Sequence, residues 1–200
     1  MNLNLIETKF PLLIIDDFYN ADEQQLIWTE LNFLQHNLKS PDETGTATAP
    51  GGKNLKSNKG VFLDDLYFDR KYSIILSVNR KLYNDEVIGQ IKKIDHWWFN
   101  NMNFNRDSTL ISYYENDDSY LTHRDDVVVT GLTWFYRDPK SFTGGNLSFP
   151  DYNVEIECIN NRVVLFPGCV KHSVSKVSID SCNQGKGLGR WCMSQFGNYI

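Results

Sequence analysis

The chain has 200 residues, of which 41% are hydrophobic and 14% aromatic, enough to bury a sizeable core in one domain. Its formal net charge of -5 argues against general nucleic-acid binding, which usually requires a basic face. The apolar run from Phe10 to Ile15 is too short for a membrane span or a signal-peptide core, so we expect a cytoplasmic protein that binds no membrane. The four cysteines form no Cys-x-x-Cys pair, which favours free thiols in a reducing compartment.

The first half of the chain predicts helices with only short strands between them. Pro11 to Ile15 is a continuous apolar run that predicts a buried strand. A helix is predicted from Ala21 to Gln35, because capping-box spacing is followed by an apolar stripe at helical period. Gly60 to Leu63 predicts another short strand, and Asp69 to Lys93 predicts two helices that break near Asn84.

The segment from Ser40 to Lys59 has almost no apolar residues and predicts a loop of about twenty residues. Loops of this length in compact proteins are usually functional lids or mobile insertions, and both interpretations are open here. In the lid interpretation, Thr46, Lys53 and Lys56 are the candidate substrate contacts.

From residue 106 onward, short β-rich runs recur about every eight to twelve residues with turn signals between them. Strands are predicted near residues 109–114, 120–123, 127–136, 146–149, 154–158, 162–166, 171–177 and 189–196. Such regular strands are typical of a β-sandwich or barrel. We therefore expect an α+β domain that is mainly β, in which residues 1–105 form a support region and residues 106–200 a jelly-roll core. The helices should cover one sheet and leave the other mouth open.

His123-x-Asp125 is the first candidate site. On a strand, residues i and i+2 project to one face, so His123 and Asp125 would point together while Arg124 and Asp126 would point away. A third ligand must come from elsewhere, and His172 is the candidate because early and late strands of a jelly roll can lie side by side. Two histidines and one carboxylate with open coordination positions are typical of non-haem Fe(II) oxygenases.

Arg190 is the second candidate, because a guanidinium at a barrel mouth can bind a carboxylate through two parallel hydrogen bonds. Ser194 lies four residues later on the same strand face and could donate to the same carboxylate. The alternative is a surface salt bridge. His36 and His96 lie on or beside predicted helices without carboxylate partners, and we expect them to be ordinary surface or packing residues.

Five motifs in this half resemble, in order, those of the Fe(II)/2-oxoglutarate-dependent dioxygenases of the prolyl 4-hydroxylase-like branch. They are His123-x-Asp125, Gly144-Gly-Asn-Leu-Ser-Phe149, Val163-Val-Leu-Phe-Pro167, His172-Ser-Val and Arg190-Trp-Cys-Met-Ser. The predicted strand and helix between Pro11 and Gln35 also resemble the N-terminal region of that branch.

The resemblance implies a double-stranded β-helix that carries iron on His123, Asp125 and His172. Arg190, assisted by Ser194, would hold the distal carboxylate of 2-oxoglutarate. Three further residues would reach or line the same pocket: Tyr113, Leu147 and Trp134. The segment between His172 and Arg190 is longer than is usual in the family, which leaves Lys176 as an alternative partner for the carboxylate because some relatives use Lys.

The implied reaction consumes O2 and 2-oxoglutarate, with ascorbate as a supporting reductant, and releases succinate and CO2. The first hypothesis for the substrate is a peptidyl residue, foremost proline. A second is a free amino acid or another small metabolite. A third hypothesis, of a different class, is a jelly-roll binding module without catalysis, which the complete ligand set disfavours.

Overall fold

The structure is a computed structural model that describes residues 1–45 and 47–199. The described strands are β1 (Asn2–Leu5), β2 (Leu13–Asp16), β3 (Lys59–Phe62), β4 (Arg106–Tyr114), β5 (Tyr120–His123), β6 (Val129–Phe135), β7 (Phe142–Gly144), β8 (Leu147–Phe149), β9 (Val154–Ile156), β10 (Val163–Pro167), β11 (His172–Val174), β12 (Val177–Ile179) and β13 (Arg190–Asn198). The α-helices are α1 (Ala21–Leu34), α2 (Pro41–Thr44), α3 (Leu63–Leu66), α4 (Ile74–Val78), α5 (Asp85–Lys92) and α6 (Trp97–Asn101). Three 3₁₀ turns cover Arg70–Tyr72, Asn79–Tyr83 and Pro150–Tyr152.

Two antiparallel sheets form the framework. The larger has seven strands in the order β1-β2-β10-β6-β13-β4-β3, and the smaller has four in the order β5-β11-β8-β9. A separate two-stranded sheet pairs β12 with β7. Strands β5 and β11 are neighbours, and His123 is the direct partner of His172 in their register. The topology thus joins two positions that are far apart in sequence.

The helices pack on one face of the seven-stranded sheet, as the sequence predicts. A hydrophobic core there joins Ile27 and Leu31 of α1 to Ile111 and Met193 of the sheet. The capping box that starts α1 is present, with Asn20 accepting from the Glu23 amide and Glu23 accepting from the Asn20 amide. A second core fills the space between the two sheets. The mainly β, jelly-roll prediction is therefore confirmed.

Element boundaries differ from the prediction where the chain turns sharply. The predicted strand 171–177 is two strands, β11 and β12, because it changes partner from β5 and β8 to β7. The helical region 69–93 is two α-helices with 3₁₀ turns before and between them. Its break lies at Asn84, as expected, and the Asn84 side chain also caps α5. Strands β1 and β7 are additional to the prediction.

The segment from Ser40 to Lys59 is more structured than the predicted loop. It begins with α2, and a bridge between Thr48 and Asn54 then closes a turn. The residues on either side of Lys56 pair with the β5 region. The Ser57 amide donates to the Ser119 carbonyl, and the Leu121 amide donates to the Leu55 carbonyl. The segment therefore extends the smaller sheet beside the strand that carries His123. Among the described residues, none belongs to a helix long and apolar enough to cross a membrane.

Candidate metal centre and anion pocket

A cavity of about 320 Å³ opens between the two sheets. Its walls combine apolar residues with a small number of ionisable ones, which is the usual composition of a small-molecule site. The ionisable or polar residues that line it include Lys56, Ser112, Tyr114, Tyr120, His123, Asp125, His172, Arg190 and Ser194.

His123, Asp125 and His172 meet at one end of this cavity. One ligand atom from each lies within 4.8 Å of the other two. Asp125 Oδ1 is 3.7 Å from His123 Nε2, and Asp125 Oδ2 is 3.5 Å from His172 Nε2. These separations are longer than good hydrogen bonds and leave the three atoms free to converge on one ion. The described residues contain no other such cluster of histidine, cysteine and acidic side chains.

Both imidazoles are held with Nε2 facing the cluster. His123 Nδ1 lies 2.8 Å from the Leu121 carbonyl oxygen, and His172 Nδ1 lies 3.0 Å from that of Val170. Carbonyl oxygens only accept, so each Nδ1 carries the proton and each Nε2 offers its lone pair. Burial, and next the charge of His172, lower the pKa of His123 to about 3. His123 is thus a neutral ligand at ordinary pH.

Asp125 is oriented by contacts just beyond the end of β5. The Thr130 hydroxyl donates to Asp125 Oδ2 at 2.7 Å, and the Asp125 amide donates to the Gly168 carbonyl at 2.9 Å. Burial raises the pKa of Asp125, while His172 and Thr130 oppose that rise. A carboxylate in this position gains from a cation beside it. Arg124 and Asp126 are exposed and lie outside the cluster, as predicted.

Arg190 is fully buried at the first residue of β13. Among the described residues, no oxygen or nitrogen acceptor meets Nε, Nη1 or Nη2. The thiols of Cys158 and Cys192 are the polar neighbours of the guanidinium. The guanidinium also lies over the ring of Tyr114, 4.6 Å from its centroid. Burial keeps the pKa of the neighbouring Cys158 and Cys192 thiols above their ordinary value, so neither supplies a negative charge. A buried cation without an anion is costly, and this one faces a cavity that can admit one.

Gly145, the second glycine of Gly144-Gly145, makes room for that arginine. Gly145 has a φ of 71°, and a Cβ there would lie 2.6 Å from Cδ of Arg190. Any other residue would combine backbone strain with a clash against the stem of the guanidinium. The glycine motif therefore belongs to the construction of the anion pocket.

Tyr114, rather than the predicted Tyr113, faces the cavity. Alternate residues of a strand point to opposite faces, and Ser112 and Tyr114 share the cavity side of β4. Tyr113 lies in the helix-side core, where its hydroxyl donates to Glu115 at 2.9 Å and accepts from the Gly189 amide at 3.0 Å. Tyr113 therefore does not line the cavity, and Tyr114 occupies the position that the prediction gave to it.

The remaining predicted pocket residues divide into two groups. Ser194 lines the cavity on the same side of β13 as Arg190. Leu147 is fully buried in the core between the sheets and is not part of the cavity lining. Trp134 is also buried behind the lining, with its ring 5.5 Å from the guanidinium carbon of Arg190. Within the described part of the chain its Nε1 has no hydrogen-bond partner.

Lys176, the alternative to Arg190, lies on the surface and pairs with Asp117 at 3.0 Å. It is too exposed to serve the buried pocket.

The two described residues of the 40–59 segment that were predicted to contact substrate differ in burial. Lys56 is buried and lines the cavity, together with Thr44 and Gly45. Lys53 is exposed and does not line it. Thr46 lies outside the described residues.

The other two histidines have structural surroundings. His36 is exposed, and His96 caps α6 by accepting from the Trp98 amide at 3.2 Å. Neither belongs to a cluster of ligand-type side chains, within the residues that are described.

Sequence reasoning missed Tyr114, Tyr120 and Thr130. The alternation of Ser112 and Tyr114 could have indicated the first, since both would share a face with each other and not with Tyr113. Tyr120 stacks on His123 with ring centroids 3.5 Å apart, and Thr130 reaches Asp125 from β6. These two contacts join residues three and five positions apart, and neither spacing follows from the i, i+2 alternation of a strand.

Comparison with known proteins gives structural matches alone: no protein-family model and no curated protein matches the sequence. A Pseudomonas putida prolyl-4-hydroxylase structure matches with TM-score 0.56 and 16% identity, over 96% of this chain and 94% of that one. The viral collagen prolyl hydroxylase from Paramecium Bursaria Chlorella virus-1 matches with TM-score 0.56 and 10% identity, over 94% and 96%. A Burkholderia pseudomallei oxidoreductase of the 2OG-Fe(II) oxygenase family matches with TM-score 0.56 and 13% identity, over 94% and 87%. The chain has the fold of the 2OG-Fe(II) oxygenases. At these identities the likeness extends to the fold alone.

Proposed function

We propose that the protein is an Fe(II)- and 2-oxoglutarate-dependent dioxygenase that hydroxylates an organic substrate and releases succinate and CO2. One observation carries the proposal: a single cavity combines the His123, Asp125 and His172 cluster with the buried, anion-free Arg190. A non-catalytic binding module would require neither feature. In this proposal the whole chain is one domain, with residues 1–105 supporting the jelly-roll core at residues 106–200.

The residues of the cavity fit both groups. Two neutral imidazole nitrogens and one carboxylate oxygen suit Fe(II) and leave coordination positions open. Arg190 would hold the distal carboxylate of 2-oxoglutarate through its parallel N–H groups, because this carboxylate supplies the acceptors that the guanidinium lacks. The Ser194 hydroxyl and the Tyr114 ring would border the same carboxylate.

When bound, Fe(II) and 2-oxoglutarate together supply the oxidising chemistry that converts a substrate C–H into C–OH. One oxygen atom of O2 enters the hydroxyl group and the other enters succinate. The protein orients the reactants and excludes water. The Leu121 and Val170 carbonyls fix the two imidazoles, and Thr130 fixes the carboxylate that completes the ligand set.

The apolar part of the lining strengthens the hold of Arg190 on an anion. Leu110, Leu132 and Val174 line the cavity beside it, and their side chains lower the local dielectric.

The segment from Ser40 to Lys59 forms one wall, and we propose that it covers the bound substrate. Shortening this segment at its exposed tip, Gly51 to Lys53, should weaken substrate turnover. Unchanged turnover and affinity would refute its role as a lid.

Two substrate classes remain candidates. A peptidyl residue, foremost proline, is supported by the prolyl hydroxylases among the structural matches. A free amino acid or other small metabolite is supported by the buried Lys56, because a peptide backbone offers that cation no charge.

The test of the reaction class is succinate formation. Purified protein with Fe(II), ascorbate and 2-oxoglutarate should release succinate slowly without substrate and faster with it. The Asp125→Asn variant should lose this activity, whereas the Asp126→Asn variant should keep it, since Asp126 lies outside the cluster. Wild-type protein that neither forms succinate nor binds iron would instead support the binding-module hypothesis.

A further inference from the structure

Lys56 is a second buried cation in the cavity. The residue is 6% exposed, and among the lysines and arginines of the described part of the chain only Lys56 and Arg190 are buried. Most other lysines of the chain lie at the surface, several beside a carboxylate, such as Lys71 with Asp69 and Lys171 with Asp151. No described residue forms a side-chain hydrogen bond or an ion pair with the Lys56 ammonium, and burial is the one influence on its pKa. An isolated charge placed in this way requires a ligand or imposes a cost on the fold.

Lys56 and Arg190 belong to opposite walls. Lys56 pairs through its backbone with Tyr120, on β5 of the smaller sheet, and the Tyr120 ring stacks on His123. Arg190 begins β13, in the middle of the larger sheet. The two cations therefore approach the cavity from different sheets.

The charges of the cavity leave room for one more anion. Asp125 is the single carboxylate among the described residues of the lining. A divalent metal, Arg190 and Lys56 supply four positive charges, and Asp125 with the two carboxylates of 2-oxoglutarate supplies three negative ones. A substrate with one carboxylate and no cationic group would balance the site.

Burial lowers the pKa of Lys56 to about 8, which leaves most of the ammonium charged at neutral pH. A charged Lys56 can still donate three hydrogen bonds to a carboxylate. An amide or an ester in the same place would accept hydrogen bonds without compensating the charge.

We propose that Lys56 binds a carboxylate of the substrate, and that the substrate is a small organic acid. This inference rests on the proposed dioxygenase function, and it assigns the substrate class of the same site. The carboxylate of Asp or Glu within a peptide offers the same chemistry, and the experiment separates the two sources.

The experiment uses the 200-residue protein loaded with Mn(II), a redox-inactive substitute for Fe(II), and 2-oxoglutarate. The probes are free α-amino acids and simple monocarboxylic acids, each compared with its own amide. A blocked peptide that contains Glu is compared with the same peptide that contains Gln. Binding is measured by calorimetric titration and as a rise in melting temperature, and neither readout depends on turnover.

The matched variants are Lys56→Met and Lys53→Met, two lysines on one segment of which only the first is buried. Wild type and Lys53→Met should bind at least one free acid and discriminate against its amide by about 10-fold or more. Lys56→Met should lose this discrimination while its affinity for 2-oxoglutarate stays within about twofold. Binding of the Glu peptide instead of the free acids would overturn the small-acid assignment and keep the anion site.

Two other results would overturn the proposal. The first is the absence of any acid-over-amide preference in wild type. The second is a Lys56→Met variant that weakens 2-oxoglutarate binding and leaves the acid preference intact, since Lys56 would then serve the cosubstrate. A wild-type protein that binds neither Mn(II) nor 2-oxoglutarate would contradict the proposed function itself, so the two failures are distinguishable.

Discussion

The two faces of the seven-stranded sheet perform different tasks with alternate residues of the same strands. On the helix side, neighbouring strands present apolar side chains that close a dry core. On the cavity side, the alternate residues of the same strands include the Arg190 guanidinium and several hydroxyl groups. Helix-side residues include Ile111, Tyr113, Trp191 and Met193, and cavity-side residues include Ser112, Tyr114, Arg190 and Ser194.

The difference shows how one strand can combine stability with binding. The helix-side residues contribute the free energy of apolar burial. The cavity-side residues stabilise the fold less, because the burial of Arg190 without an anion is unfavourable. Substitutions on the first face should therefore change stability, and substitutions on the second should change ligand affinity.

The largest effect should follow from Asp125→Asn, at the metal end of the cavity. The amide removes the charged ligand from a set that has two neutral imidazoles, so we expect Mn(II) affinity to fall by at least about 100-fold. Equilibrium titration followed by electron paramagnetic resonance measures it. Asp126→Asn, on the adjacent exposed residue, should bind Mn(II) as wild type does. Equal losses in both variants would contradict the assignment.

Arg190→Met should weaken 2-oxoglutarate binding by about 2–5 kcal/mol, because it removes the charged partner of a buried carboxylate. Its affinity for Mn(II) alone should not change, and its ligand-free melting temperature should not fall, since an uncompensated charge is removed. Calorimetric titration gives the affinity. The surface variant Lys176→Met is the control, and a loss of cosubstrate affinity there would reverse the choice between the two cations.

Met193→Ala should show the opposite pattern on the helix side of β13. Met193 is fully buried, so truncation should lower the free energy of unfolding by about 2–5 kcal/mol. Its 2-oxoglutarate affinity should remain within about twofold of wild type. Ser194→Ala, one residue away on the cavity side, should change stability by no more than about 1 kcal/mol. Urea unfolding combined with titration of both variants tests whether the faces are independent.

Lys56 should add a gain in stability to the metal-free protein as the pH rises, seen as the difference between wild type and Lys56→Met. Buried tyrosines and thiols, whose pKa burial raises, act in the opposite direction in both proteins alike. Burial lowers its pKa from 10.5 to about 8, so the unfolded chain binds more protons between these two pH values. The penalty of the buried ammonium is fully present below pH 8 and is lost as the pH approaches 10.5, a gain of at most about 3 kcal/mol. Lys56→Met should lack this gain. Parallel pH dependences in the two proteins, measured by urea unfolding, would contradict it.

Tyr113→Phe should have the smallest effect. It removes the hydrogen bonds of the Tyr113 hydroxyl to Glu115 and Gly189, and should lower the free energy of unfolding by about 1 kcal/mol. Its affinity for 2-oxoglutarate should match wild type, because this tyrosine lies on the helix side. Weaker cosubstrate binding in Tyr113→Phe than in Tyr114→Phe would restore the sequence-based assignment.

The sequence predicted the features that depend on local pattern. The capped helix α1, the break at Asn84 and most strands follow from periodicity and turn residues. The cluster of His123, Asp125 and His172 was also predicted, because ordered motifs carried the information that a lone His-x-Asp lacks.

The features that the sequence did not predict depend on how strands and segments pack in three dimensions. Tyr113 and Tyr114 are neighbours on β4, and this difference of one residue places their side chains on opposite faces of the sheet. The predicted loop at 40–59 acquires structure by pairing with β5, and this partner is about sixty residues away. No local pattern shows that Lys56 would be buried and Lys53 exposed.

The most direct test is a crystal structure of the protein with Mn(II) and 2-oxoglutarate. We expect one Mn(II) bound by His123, Asp125 and His172, and a 2-oxoglutarate whose distal carboxylate accepts hydrogen bonds from Arg190. A metal bound elsewhere, or a cosubstrate whose carboxylates do not contact Arg190, would contradict the central claim that this cavity holds both groups.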